Sequence, residues 1–326
     1  MSWKAAGLQI NHYLERWIFI WVLSAMAIGY VLHGVLAHLE GSIVALFACM
    51  TFVTALGTRI KQIGYVMRHP YTIVLAFFMI HVFMPLFAFS IAKLTLAHQS
   101  SYITGIVLGA SIPVGVTSVM WTGLAEGDLP LALAIVSIDT LLSPLVIPLT
   151  VHAVVGKSVQ IPFATLFWGL VWMVVIPTIL GILINEWSKG KAKQVVQPIA
   201  GPASKIAMLL VVAINVAVVE PTIQHGSNFK MLLITLILVA GFGYLIGHFS
   251  GVAARLKPVT RIAMTYNVGM RNISAGITIA TQYFGHDVSI PVVLAMLFQQ
   301  PFATFVYWLY MRKTHDGTGK QPLHVA

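Results

Sequence analysis

The chain has 326 residues, of which 58% are hydrophobic and only 9% charged, and its mean hydropathy is +0.89; that is too little polar surface to cover a water-soluble globule. A formal charge of +10 and a pI near 9.8 do not make it a nucleic-acid binder, because the cations fall in short clusters between apolar runs rather than in a basic stripe with interleaved aromatics. One cysteine, Cys49, excludes an internal disulfide and a cysteine-based zinc site, and its apolar neighbourhood reads as core packing.

Apolar segments of spanning length occur at about 17–36, 42–58, 71–92, 102–124, 129–152, 161–184, 206–220, 229–252, 259–284 and 288–311. No small-residue cleavage site follows the first, which is therefore expected to be retained rather than removed as a signal peptide. Between the sixth and seventh, the polar stretch from Asn185 to Lys205, with Pro198, Gly201 and Pro202, is expected to form a loop. Ten segments put both termini on one side. Of the 19 cations, 15 share that side: Lys4, Arg16, Arg59, Lys61, Arg68, Lys189, Lys191, Lys193, Lys205, Arg255, Lys257, Arg261, Arg312, Lys313 and Lys320. Lys93, Lys157 and Lys230 fall opposite, and Arg271 lies inside a span. The positive-inside rule makes the crowded face cytoplasmic, in a bacterial inner (plasma) membrane.

Val114-Gly115 in the fourth segment is echoed by Val268-Gly269 in the ninth, an offset of 154 residues (269 − 115), close to half the chain. A tight polar turn and a further helix follow each pair. Five helices per repeat is odd, so the second copy is inverted, the organisation in which paired interrupted helices expose backbone groups near the bilayer midplane. Breaks are expected at Pro113, Gly115 and Gly269, since proline removes a donor and glycine tolerates unwound backbone. Polar residues gather around them: Ser111, Thr117, Ser118 and Thr122 on one segment, Thr265, Asn267, Asn272, Ser274 and Thr278 on the other, with Ser137, Asp139, Thr140, Ser143, Gln299 and Gln300 on adjoining helices. Hydroxyls by themselves also serve as glue between membrane helices.

Asp139 and Arg271 stand apart as the acid and the base near the centres of spans, where an isolated charge costs about 2.5–3.5 kcal/mol even on lenient insertion scales. They form either a structural ion pair or a site in which Arg271 binds an anion or replaces a transported cation. His33 and His81 read as satisfied core residues. No His-x-x-x-His, Gly-x-Ser-x-Gly or glycine-rich phosphate loop supports an enzyme.

At these residues the chain resembles the bile acid:sodium symporter family. The matching pieces are Met84-Pro85-Leu86 and Ala92-Lys93-Leu94; Ile112 through Met120 and on to Gly127-Asp128; Thr140-Leu141-Leu142-Ser143-Pro144-Leu145; and Asn267-Val268-Gly269-Met270-Arg271-Asn272. The resemblance implies an all-α membrane protein: ten transmembrane helices in two inverted five-helix repeats, with crossed, discontinuous helices 4 and 9. It places a single transmembrane domain over 1–326, with repeats at about 12–155 and 160–313. Panel helices fall at about 17–58 and 161–220 and core helices at about 71–152 and 229–311. In the family, bile acids or smaller organic anions are carried, and two sodium ions bind beside the crossing. The family's ninth-helix Glu-x-Gly-x-Gln-Asn pattern departs here, with Asn267 and Arg271 in place of the carboxylate and the amide, and Val119 follows Ser118 where an asparagine is usual. The fixed charge moves two units toward positive, which argues against sodium bound as in the family.

The expected function is alternating-access transport of a small organic anion, a bile-acid-like compound or a metabolite carboxylate, by a monomer in the bilayer. Sodium symport, proton coupling through Asp139, and uncoupled or exchange flux with Arg271 as a tethered cation stay open, as does a receptor that binds without transport. Substrate contact is expected at Thr117, Ser118, Asn267, Arg271, Asn272 and Gln299. The ion, or whatever replaces it, is expected at Ser118, Asp139, Thr140, Asn267 and Arg271; no other cofactor and no nucleic acid is called for.

Overall fold

The structure, a computed structural model, describes residues 3–58, 69–97, 99–156, 163–223 and 229–318, and among these every regular element is a helix. In chain order they are α1 (Trp3–Arg16), α2 (Ile18–Val31), α3 (His33–Ala55), α4 (Pro70–Thr95), α5 (Ser100–Ser111), α6 (Thr117–Leu124) and α7 (Leu129–Val155). Then follow α8 (Phe163–Trp187), α9 (Lys191–Ile223), α10 (Phe229–Ala253), α11 (Pro258–Gly269), α12 (Ile273–Tyr283) and α13 (His286–Thr318). Seven of these, α3, α4, α7, α8, α9, α10 and α13, contain a stretch long and apolar enough to cross a membrane. The other three expected segments differ: α2 has 14 residues, and the fourth and ninth are divided into α5 with α6 and α11 with α12.

Prolines open α4, α7 and α11, where a missing N–H costs nothing, and the Asp128 carboxylate caps α7 by accepting the Leu131 N–H at 3.1 Å. Inside the helices, hydroxyls are satisfied locally. Thr104, Thr122, Ser137, Thr140 and Thr278 each donate to the carbonyl four residues back, at 2.7–3.0 Å. Two π turns interrupt the ladder, at Met79–Phe83 in α4 and Val171–Val175 in α8. In the first, the Met84 N–H reaches back to the Met79 carbonyl, and Pro85 has no N–H to offer the next one, so the carbonyl of Ile80 is left without a helical donor.

The expected loop from Asn185 to Lys205 is a correction. Asn185 closes the last turns of α8, the connection is confined to Ser188–Gly190, and α9 is helical from Lys191. Pro198, Gly201 and Pro202 recur at helical spacing and are all buried, and α1 packs along this half of α9, with Lys205 Nζ donating to Asn11 Oδ1 at 2.7 Å. Helix α1 itself escaped the sequence reading because it is amphipathic and too short to span; Leu8, Ile10 and Tyr13 stay exposed on it. Cys49, read as core, is exposed on α3, whose packed face carries Ile43 and Phe47 instead. Arg59, Lys61, Arg68, Lys157 and Lys320 lie outside the described residues.

Helix α9 runs along α1, α2 and α3, with α8 on α3; α10 lies against α11 and α13, and α5 against α4 and α13; α9 also meets α12 and α13, and α7 meets α8. The helical assignment of 191–205 is tested by cysteines placed one at a time along it. Thiol labelling should rise and fall with a period near 3.6 residues and be weakest at 198, 201 and 202; uniform labelling would restore the loop.

Candidate functional site

The two interruptions meet. Helix α5 ends at Ser111, Ile112 turns extended (φ −65°, ψ 158°), and α6 resumes at Thr117; α11 ends at Gly269, Met270 is extended (φ −115°, ψ 130°), and α12 resumes at Ile273. Val114 and Arg271 lie opposite one another in an isolated antiparallel bridge. Gly115 N–H donates to the Met270 carbonyl at 3.3 Å and Asn272 N–H to the Pro113 carbonyl at 2.8 Å, two bonds that exchange places when Val114 and Arg271 are exchanged. The structural partner of residue 114 is thus 271, an offset of 157 (271 − 114) rather than 154. The repeated Val-Gly pair misaligns the halves because Gly269 is still helical: a Cβ there would come within 2.5 Å of the Tyr244 ring, so its smallness serves packing, and the unwinding begins one residue later. At Gly115 the bare backbone serves the crossing itself, since a Cβ would lie 2.8 Å from the Arg271 carbonyl oxygen.

Backbone donors that the crossing does not pair are taken by side chains from the next long helix of each half. Val114 N–H donates to Asp139 Oδ2 at 2.6 Å, and Arg271 N–H to Gln299 Oε1 at 2.9 Å. In lipid an unpaired backbone group costs several kcal/mol, so these two acceptors are structural requirements of the break. Asn272 continues the pattern by capping α12 through the Ala275 N–H at 3.3 Å.

Asp139 and Arg271 do not form an ion pair. The other carboxylate oxygen of Asp139 accepts from His81 Nε2 at 2.6 Å, with both residues buried. Arg271 instead donates from Nη2 to the Ile80 carbonyl at 3.2 Å, the one freed by the π turn and Pro85, while its Nη1 is buried without a partner. His81, set aside from the sequence as a core residue, therefore belongs to the site. The signal for it lay in pairs, a lone histidine just before Met84-Pro85 and a lone acid on another span, and neither half is informative alone.

A cavity of about 510 Å³ adjoins the crossing, within the range of small-molecule sites. One wall comes from α2, α3, α8 and α9, the other from the crossing, α6, α7, α12 and α13. Thr117, Thr140, Arg271, Asn272 and Gln299 border it, as do the breaks at Pro113 and Gly115; no Asp or Glu does among the described residues, whereas Lys193, Lys205 and Arg271 do. Ser118, Asn267 and Asp139 do not border it and are fully buried. Ser118 Oγ donates to Asn267 Oδ1 at 3.1 Å and Asn267 Nδ2 to the Ala263 carbonyl at 2.8 Å.

Replacing Gly115 by Ala forces the two strands of the crossing apart. A loss of about 1–3 kcal/mol is expected for such overpacking against backbone, read as a lowered midpoint of thermal unfolding in detergent; an unchanged midpoint would mean that the strands need not touch.

Comparison with known proteins supplies the last observation. The model of the Sodium Bile acid symporter family matches residues 43–226. YbaS of Bacillus subtilis (strain 168), which bears the name of an uncharacterized protein, is 32% identical over 290 residues, covering 89% of this chain and 95% of its own. The uncharacterized sodium-dependent transporter YocS of the same organism is 23% identical over 284 residues, 87% of each chain. BASS1 of Oryza sativa subsp. japonica, named as a probable sodium/metabolite cotransporter of the chloroplast, is 26% identical over 296 residues, 89% of this chain and 70% of its own. With a model matching more than half its length and a 32% identical relative covered almost end to end, the chain belongs to the sodium bile acid symporter family.

Proposed function

We propose that this chain carries a small organic anion across a bacterial plasma membrane by alternating access, with Arg271 as the fixed cation that the anion meets. The carrying observation is Arg271 on the lining of a cavity that also carries Lys193 and Lys205 and, among the described residues, no carboxylate, with Nη1 buried and unpartnered. A guanidinium turned toward the cavity could hold a carboxylate through two parallel bonds. Thr117, Asn272 and Gln299 then frame the same pocket from the crossing and α13. Because the cavity lies between two walls of helices, rocking one against the other would open it to alternate faces.

Sodium is not part of this reading. Both oxygens of Asp139 already accept from donors and that of Asn267 accepts from Ser118, whereas the Thr140 hydroxyl donates to the Val136 carbonyl at 2.7 Å and keeps its lone pairs. A guanidinium beside them adds repulsion. Both termini are taken to face the cytoplasm, and a cysteine at Lys191 should then be labelled only from that side.

The test is uptake of radiolabelled pyruvate, lactate, succinate, malate and taurocholate into proteoliposomes. Sodium-free uptake of at least one of them is expected. Arg271→Gln should raise KM roughly 10- to 100-fold, the worth of a charge-assisted bond of about 1.5–3 kcal/mol, with Arg271→Lys intermediate. Wild-type uptake that requires sodium, together with unchanged flux in Arg271→Gln, would remove Arg271 from both roles.

A further inference from the structure

We infer that the bond of Thr281 to Asn215 and the contact of Tyr283 with Gly169 are the gate at the closed end of the cavity, and that these residues control the reorientation step of transport; the inference rests on the alternating-access reading above. The cavity has an open end and a closed one. Its lining runs from the crossing to Gly57 and Thr58, just past α3, and to the exposed Lys193 in the first turn of α9. It therefore opens at the end of the bundle that carries the Ser188–Gly190 turn. In the other direction its last lining residues are Leu170 of α8, Met208 of α9, Ile279 of α12 and Met296 of α13.

Beyond Met208, residues 211–220 of α9 are buried without exception, about 15 Å of helix enclosed on every side. Val216 and Val219 join Leu166 of α8, Ile277 of α12 and Val288 and Val292 of α13 in one apolar cluster, so both walls of the cavity contribute to the plug. Two polar side chains of α12 reach across it. Thr281 Oγ1 donates to Asn215 Oδ1 of α9 at 2.8 Å, both residues being buried, with the Ser289 hydroxyl 3.3 Å away. The hydroxyl end of Tyr283 rests on α8 at Gly169, where a Cβ would overlap the phenol oxygen. None of these residues borders the cavity, so they close it without touching what it holds.

A gate differs from permanent packing in having a second arrangement ready, and the polar contact has one. Thr281 carries one hydrogen and has two acceptors in reach, because the Ile277 carbonyl four residues back lies at 2.9 Å. As α9 draws away, that hydrogen turns to its own helix. Asn215 keeps the Val211 carbonyl through Nδ2 at 2.7 Å and offers Oδ1 to entering water, and Ser289 has the Gly285 carbonyl at 3.0 Å. Parting the helices leaves no donor orphaned and exchanges one hydrogen bond for another. Tyr283, half-buried at the rim, withdraws from Gly169 in the same movement.

The experiment reads sidedness directly in the full-length protein, in a Cys49→Ser background with Ser274→Cys on the cavity lining as reporter. An impermeant methanethiosulfonate is applied from either side of oriented vesicles, and Lys191→Cys in the same background identifies the side that carries the Ser188–Gly190 turn. The reporter should react at least about tenfold faster from that side. Thr281→Val keeps the shape and removes the hydroxyl, and Gly169→Ala holds the Tyr283 ring off α8; each should raise labelling from the far side roughly 3- to 10-fold, the population shift that one net hydrogen bond supports. Thr281→Ser should leave it unchanged. Residues that only pack would lower the midpoint of thermal unfolding and leave sidedness as it was; that outcome in either variant overturns the inference, as does a background reporter that reacts no faster from the Ser188–Gly190 side. The labelling needs no substrate. Unchanged sidedness with uptake intact removes the gate and leaves anion transport, whereas shifted sidedness with none of the five anions entering keeps the gate and removes anion transport.

Discussion

A helix that stops inside a packed apolar interior leaves backbone N–H and C=O groups where no water can reach them, and this protein does it twice at one place. Everything around the crossing answers that debt of hydrogen bonds. The two extended stretches satisfy each other through Gly115 with Met270 and Asn272 with Pro113, and Asp139 and Gln299 accept the donors that remain. Those partners pin the backbone of Arg271 between Val114 and Gln299, and the Ile80 carbonyl then holds its side chain.

The same constraint divides the polar residues into two kinds. Ser118 and Asn267 satisfy each other inside the helix pair, so their presence in apolar spans requires no ligand. Thr117, Thr140, Asn272 and Gln299 border open space. Chemistry alone does not separate these groups, which is why the sequence offered all six as candidates. Only the facing of each helix does, and facing depends on a register that hydropathy along a uniformly apolar span barely encodes.

What could be read from residues was what has a sharp local signature. Apolar length marks seven of the expected spans, and Pro113 and Gly115 mark the interruption between α5 and α6. The second interruption was misplaced by one residue because Gly269 is small for the sake of Tyr244 rather than for its backbone. Helix α1 and the first half of α9 were missed for a related reason: each is held by the other, and prolines that look like breakers in isolation become the buried face of a tertiary contact. The His81–Asp139 bond joins residues 58 apart, beyond the reach of any spacing rule.

Pro85 shows how far from a cavity its charge can be set. It does not border the cavity, yet its lack of an N–H leaves the Ile80 carbonyl vacant, and that vacancy is what the guanidinium of Arg271 occupies. An amino acid with an N–H at this position would let α4 close over its own carbonyl and cast the cation adrift. The place of one of the three cations on the pocket's lining is therefore inherited from a flaw in a neighbouring helix, and a relative that keeps the arginine but repairs the flaw would hold that charge somewhere else.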